Sequence, residues 1–256
     1  SGFQGATITL PDSLELIDEY AFAYSKLVNI HIPANVKTIG GRAFFATKGE
    51  SCLESVTFAE GSRLEEIGNR AFYGCDNLRE LTIPDIKLTL GSYAFGNCKG
   101  LRTVTLPVDY DFGNNPFGGA YTSEYTNGVT TVHFTVGQTG VMTDRVGNTN
   151  SIYGYNRTLM YHNRNSIQSI DFEEGITHVG DYLCYPGGTA LTQVKLPDSV
   201  KTIGDCSFYG CSALTTLTLG DQITEIEASA FINCGFTSFR VPDGGNYIRE
   251  YAFSGC

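Results

Sequence analysis

Short alternations of apolar and polar residues recur along the whole chain. The apolar pairs are Ile8/Leu10, Ile30/Ile32, Val56/Phe58, Leu81/Ile83, Val104/Leu106, Val132/Phe134, Ile170/Phe172, Val194/Leu196, Leu217/Leu219 and Phe239/Val241. One polar residue separates the members of each pair, the period of a strand with one buried face. Successive pairs begin 22, 26, 25, 23, 28, 38, 24, 23 and 22 residues apart. A second marker keeps step. The dipeptide Ala-Phe stands at Ala21-Phe22, Ala43-Phe44, Ala71-Phe72, Ala94-Phe95, Ala230-Phe231 and Ala252-Phe253, with weaker copies at Pro116-Phe117 and Ser207-Phe208. Two independent markers on one period identify internal repeats, and the strand pairs predict ten units, the last incomplete.

One unit shows the expected physics. Val194-Lys195-Leu196 reads as a strand, and Pro197-Asp198 ends it, because proline removes a ladder donor. Val200 and Ile203 turn inward, and Gly204 is expected to allow a bend. Ser207 to Cys211 is too short for an independent helix and is expected to form a single helical turn. Leu214 then leads to the next strand at Leu217. No unit buries these side chains alone; stacked units bury them in one column, as in a solenoid.

These residues resemble the BspA-like leucine-rich repeats. Units of that class run roughly as strand, Pro, Val-x-x-Ile-Gly, Ala-Phe, Cys and Leu-x-x-Val. The best copies are Leu196 through Gly204 and Ile30-His31-Ile32-Pro33 through Ala43-Phe44. The resemblance covers about residues 6–106 and 168–256. It implies a right-handed leucine-rich-repeat solenoid with one strand and a short helical turn per unit of about 23 residues, in a secreted or surface-attached bacterial protein with adhesive or interaction roles. The whole of 1–256 then reads as a single β-rich solenoid domain. Residues 107–167 depart from the pattern and read as atypical repeats or a bulge rich in Tyr, Gly and Asn.

Composition narrows the partners. The 256 residues carry 17 Lys and Arg against 27 Asp and Glu, a net charge of −10. Nucleic acid needs a basic face, so it is excluded, and so is docking onto an anionic membrane surface. No apolar run reaches the roughly 18 residues of a membrane span. No basic segment followed by an apolar one opens the chain, so an extracellular or cell-surface placement presumes a leader peptide already removed. The sequence stops at Cys256 in mid-unit, where either further repeats or a packing neighbour is expected. An exposed last strand there would invite an edge-to-edge dimer.

Candidate chemistry is sparse. Of eight cysteines, Cys75, Cys98, Cys211, Cys234 and Cys256 share one repeat position. They read as a column of small buried residues, with a disulfide framework or metal site as the lesser reading, since no Cys-x-x-Cys occurs. Cys184 replaces the repeat phenylalanine and reads as core; Cys52 and Cys206 fall outside the column. His31 and His133 occupy the polar place between paired strand residues and are expected on the exposed sheet face. Asp109 to Asn114 resembles a calcium loop but lacks its distal glutamate, and Asn156-Arg157-Thr158 fits a glycosylation acceptor. No nucleophile elbow, zinc-protease motif or phosphate loop is present, which points to a non-enzymatic chain without cofactor or metal.

Binding is expected on the sheet face and the bulge. The middle column of the strands reads Thr9, His31, Thr57, Thr82, Thr105, His133, Asp171, Lys195, Thr218, Arg240. Charge enters it at Asp171, Lys195 and Arg240, beside His133 and the atypical segment. That segment carries Tyr110, Tyr121, Tyr125, Tyr153 and Tyr155, and tyrosine supplies amphipathic contact area with few torsions. These nine residues are the expected contacts of an adhesin-like module that binds a protein or a glycan. The alternative is a passive spacer within a larger surface protein.

Overall fold

Each repeat sets its strand parallel to the same strand of the next. The computed structural model describes residues 6–47, 53–108, 111–112, 116–117, 129–137, 141–142 and 163–256. Two compact units divide the chain, residues 1–105 with 110–129 and residues 106–109 with 130–256. The fold is a parallel β-solenoid of about eight turns, where the strand pairs predict ten.

Unit 1 carries two rows of strands. The first row runs along the apolar pairs: β1 (Ala6–Thr7), which ends before exposed Ile8 and so leaves the predicted pair Ile8/Leu10 outside it, β3 (Leu27–Ile32), β5 (Ser55–Phe58), β7 (Glu80–Thr82), which ends just before Ile83, and β9 (Thr103–Pro107). The second row consists of two-residue strands: β2 (Leu16–Ile17), β4 (Thr38–Ile39), β6 (Glu66–Ile67), β8 (Thr89–Leu90) and β10 (Asp111–Phe112). These pair in chain order from β2 to β10, all parallel. In sequence they are the Val-x-x-Ile-Gly segments, legible as inward turns but not as strands. In the first row, β1, β3 and β5 form one ladder. It stops there, and β7 starts another with β9.

Unit 2 repeats the design. Its first row is β11 (Thr131–Thr135), β12 (Ser169–Phe172), β14 (Gln193–Lys195) and β16 (Thr216–Thr218), paired in that order. Its second row is β13 (His178–Val179), β15 (Thr202–Ile203), β17 (Glu225–Ile226) and β18 (Tyr247–Ile248). Phe239/Val241 forms no strand. The Phe239 ring instead meets Phe231, Phe236 and Phe253 at 6.0, 5.4 and 4.6 Å.

The Ala-Phe segment is not a helical turn in any described repeat. Its amides alternate in destination. Arg70, Phe72 and Gly74 donate to Ser92, Ala94 and Gly96 of the next repeat, while Ala71, Tyr73 and Cys75 donate to the carbonyls of Gly68, Arg70 and Phe72 on their own repeat. A helix would direct all of them inward along its own axis. The alternation requires a left-handed residue, and Tyr20, Arg42, Arg70, Tyr93, Tyr182, Cys206, Ser229 and Tyr251 take φ between 52 and 59°. Each costs about 1–2 kcal/mol in an L-residue, held in place by the inter-repeat bonds around it. Short-range turn bonds look alike in sequence whether a helix or this ladder follows, which is why the helix is predicted there.

The alternation also aims every second side chain inward. Phe22, Phe44, Phe72, Phe95 and Phe117 stack in unit 1 at 5.2, 4.7, 5.1 and 5.6 Å, their planes within 15°. In unit 2, Phe208, Phe231 and Phe253 stack at 5.4 and 5.3 Å. Cys184 occupies the equivalent place and is fully buried, as its replacement of the repeat phenylalanine predicts. Gly204 does not bend the chain by a left-handed φ, and neither do Gly40, Gly68 and Gly91. They are glycine because neighbouring backbones pass close by. A Cβ on Gly68 would lie 2.6 Å from the Gly41 nitrogen.

Candidate functional site

The strand register decides which side chains share the sheet face. In unit 2, Thr131, Ser169, Gln193 and Thr216 form one outward column, and His133, Asp171, Lys195 and Thr218 the next. Between them Val132, Ile170 and Val194 point into the core. His133 Nδ1 lies 3.2 Å from Asp171 Oδ2, with side chains 42% and 36% exposed. Lys195 is the next residue of the column and is exposed. The sequence-derived column therefore places three of its charged candidates side by side. Arg240 is exposed but lies outside the strand ladder, because the segment around it forms no strand. An exposed pair such as His133–Asp171 adds about 0–1 kcal/mol to stability, so fold stability does not explain the row. Tyr110, Tyr121, Tyr125, Tyr153 and Tyr155 lie outside the described residues, as do Asn156-Arg157-Thr158, Cys52 and the side chains of the calcium-like loop.

Unit 1 presents a different sheet face. His31 stands opposite Thr57 in register, and its Nδ1 is 2.9 Å from the Thr57 hydroxyl. Thr82 stands opposite Thr105. Where the ladder stops after β5, a groove of about 640 Å³ opens. Its walls include Thr57 and Phe58 of β5, Thr82 of β7, and the turns that follow each strand, residues 59–62 and 84–86. A smaller cavity of about 350 Å³, lined by Thr7, Thr9, Asn29 and His31, shares Ser55 and Thr57 with it. The sequence pattern does not announce this groove. No ladder pairs β5 with β7 there, while the apolar pairs Val56/Phe58 and Leu81/Ile83 lie 25 residues apart, within the spread of steps along the chain.

The cysteine column is structural. Cys75, Cys98, Cys184, Cys206, Cys211, Cys234 and Cys256 are free thiols. Cys75, Cys98, Cys234 and Cys256 each donate to the carbonyl of the core phenylalanine one repeat back, namely Phe44, Phe72, Phe208 and Phe231, at 3.1–3.5 Å. A thiol here is more than a small apolar filler: it is the donor for a buried carbonyl that alanine would leave less satisfied. Burial pushes the Cys98, Cys184 and Cys234 thiols up, with neighbouring thiols adding to it. Burial and the Asp205 carboxylate beside it raise Cys206 to about 12. Iodoacetamide at pH 8 is expected to alkylate exposed Cys256 in the folded protein and to reach Cys98, Cys184 and Cys234 only in denaturant. Peptide mass spectrometry reads the order; Cys98 reacting as fast as Cys256 contradicts it. Among the described residues no group of three or more His, Cys, Asp or Glu could hold a metal ion. Nor is any helix among them long and apolar enough to cross a membrane.

The BspA type leucine-rich repeat region matches in six copies over residues 4–124 and 157–256. It thus reaches into the atypical segment and leaves only 125–156 of that segment outside. No curated protein matches the chain. A leucine-rich repeat protein from Bacteroides ovatus ATCC 8483 is similar in structure, with 24% identity and a TM-score of 0.51, over 98% of this chain and 64% of that one. The chain therefore spans less than two thirds of that structure's length. Weaker likenesses are the pneumococcal vaccine antigen PcpA, at 22% identity, TM-score 0.37, and 94% and 52% coverage, and a leucine-rich cell surface protein from Faecalibacterium prausnitzii A2-165, at 23% identity, TM-score 0.35, and 95% and 75% coverage. With the matched repeats spanning most of its residues, the chain belongs to the BspA-type leucine-rich repeat family.

Proposed function

We propose that the chain is a non-enzymatic interaction module of a bacterial cell surface, which binds a protein partner through its sheet face. The observation that carries this reading is the row His133–Asp171–Lys195, three charged or ionisable side chains aligned in register on β11, β12 and β14. They stand on a rigid ladder whose inner residues Val132, Ile170 and Val194 are buried, so the contact surface is held in place before binding. Family membership supports the surface setting, and the net charge of −10 favours protein over nucleic acid. The tyrosines of 107–167 belong to the same reading as a second contact region.

The test is capture of proteins from an extract of host cell surface and matrix, comparing the wild-type chain with a H133A/D171A/K195A variant. A partner held through this row is expected to bind the variant at least about tenfold more weakly. The variant's melting temperature should stay near wild type, because substitutions at exposed positions usually change stability by within about 0.5 kcal/mol. A parallel variant replaces Tyr110, Tyr121, Tyr125, Tyr153 and Tyr155 with Ala and assigns the share of the atypical segment. Equal capture by all three proteins removes this site, and capture of nothing above background by the wild-type chain favours a spacer.

A further inference from the structure

The cysteine column changes its chemistry at one place in unit 2. Cys75, Cys98, Cys234 and Cys256 each donate to a core phenylalanine carbonyl one repeat back. Cys211 holds the same repeat position, but the core residue one repeat back is Cys184, a thiol where the other repeats place a ring. The Cys184 amide donates to Ser207 at 2.7 Å, which fixes Cys184 beside the repeat that carries Cys211. The Cys184 carbonyl accepts the Gly187 amide at 2.7 Å. The Cys184 thiol donates to the Cys211 sulfur, and the Gly188 amide donates to the same sulfur at 3.5 Å. Cys211 therefore accepts two hydrogen bonds where the other column thiols donate one. Its neighbour in the column is also missing: three residues after Cys184 stands Gly187, where the other repeats carry cysteine.

This arrangement separates the roles of the two sulfurs. Hydrogen bonds received by sulfur favour the thiolate, and the thiolate is the nucleophile. The bond from Cys184, with that from Gly188, holds Cys211 below the usual thiol range, against the opposing effect of burial. Burial, with the Cys211 contact adding to it, pushes Cys184 up. Both side chains are fully buried, yet Pro186 and Ser212, two residues and one residue further along the chain, are exposed. The pair thus lies just beneath the surface turns, at a depth that suits an oxidant about the size of water. Cys75 and Cys98 also touch, but each keeps its proton on a carbonyl, that of Phe44 or Phe72, and burial pushes Cys98 up.

We propose that Cys184 and Cys211 form a peroxide-sensitive pair, which closes to a disulfide between neighbouring repeats of unit 2 while Cys75 and Cys98 stay reduced. The Cys211 thiolate attacks one oxygen of hydrogen peroxide, the O–O bond breaks, hydroxide leaves, and Cys211 becomes a sulfenic acid. The Cys184 sulfur then attacks the Cys211 sulfur. The S–S bond forms, the S–O bond breaks, and the departing hydroxide takes the Cys184 proton as water. Two thiols lose two electrons and one peroxide gains them, leaving one disulfide and two waters. Cys184 follows β13 and Cys211 follows β15, so the bond ties the repeat that bears Asp171 to the repeat that bears Lys195. The proposal does not depend on what the sheet face binds.

The test treats the folded full chain with hydrogen peroxide, blocks the remaining thiols with iodoacetamide in denaturant, and maps unreduced peptides by mass spectrometry. The expected product is a Cys184–Cys211 linked peptide that dithiothreitol separates, with Cys75 and Cys98 keeping their thiols at least about tenfold longer. The linked chain should melt at a higher temperature than the reduced one, because the bond closes a loop across 27 positions in the unfolded chain. C184F restores the repeat phenylalanine, and its Cys211 should stay reduced under the same treatment. Should C184F fail to fold, the wild-type map decides by itself. Absence of the linked peptide overturns the proposal. So does oxidation of Cys75 and Cys98 at the same rate, and so does undiminished oxidation of Cys211 in folded C184F.

Discussion

Replacing Phe72 with Ala is expected to destabilise the protein by about 3–5 kcal/mol, the range for truncating a buried aromatic. The ring is fully buried and sandwiched between Phe44 at 4.7 Å and Phe95 at 5.1 Å, nearly parallel to both. Stacking adds to the loss, at about 0.5–1.5 kcal/mol per aromatic pair beyond area burial. The site collapses poorly, because the rings above and below are fixed by backbone bonds between repeats: the Phe44 amide donates to Ala71 and the Phe72 amide to Ala94. Tyr73 is the control. It lies next in sequence, points outward and is only partly buried, so Y73A should cost much less. Urea unfolding followed by circular dichroism measures both. A Phe72→Ala loss below about 1 kcal/mol would mean that the ring column is not the core.

The second large effect comes from Gly68→Ala, where one methyl is added rather than removed. Its Cβ would sit 2.6 Å from the Gly41 nitrogen and 2.9 Å from the Gly40 carbonyl carbon, distances that force backbone to move. Both atoms belong to the neighbouring repeat, and the Gly68 amide itself donates to Ile39 of that repeat. Relief therefore means spreading two repeats apart at a hydrogen bond. Overpacking of this kind costs about 1–3 kcal/mol, and the upper end is expected because no flexible side chain can yield. Gly61 provides the contrast: nothing lies within 4 Å of its added Cβ, but its φ of 69° is left-handed. Gly61→Ala should cost only about 1–2 kcal/mol, through backbone strain. Equal stability of Gly68→Ala and wild type in the urea titration would refute the close-approach explanation.

The solenoid was readable in the sequence because its core is periodic. The strand pairs and the Ala-Phe marker are one-dimensional images of two stacked columns, and register then placed His133, Asp171 and Lys195 together. What escaped is what depends on where amides point. The Ala-Phe segment has the turn composition of a helix start, and only the contacts between repeats show that Arg70, Phe72 and Gly74 reach across to the next repeat. The second row escaped for a related reason. Two-residue strands such as Thr38–Ile39 and Glu66–Ile67 are too short to show alternation. Phe239/Val241 matched the strand pattern, yet Phe239 joins an aromatic cluster with Phe236 and Phe253. Burial at the repeat cysteine position was legible for Cys75, Cys98, Cys211 and Cys234, whereas Cys256 is exposed, and donation to a carbonyl one repeat away was not legible. The groove escaped altogether, since the lack of a ladder between β5 and β7 leaves no mark on residue type.

The sheet face and the turn face of the repeats differ in reactive side chains, and this separates them experimentally. His133 and His31 stand on the sheet face, whereas Tyr20, Tyr24 and Tyr251 are exposed at the Ala-Phe turns, at 48%, 53% and 68%. Hydroxyl-radical footprinting of the chain, free and bound to a captured protein partner, compares their oxidation directly. Binding through the sheet face predicts that His133, with Lys195 beside it, loses oxidation in the complex while Tyr20, Tyr24 and Tyr251 react as in the free chain. Protection of the turn tyrosines with His133 unchanged would contradict it.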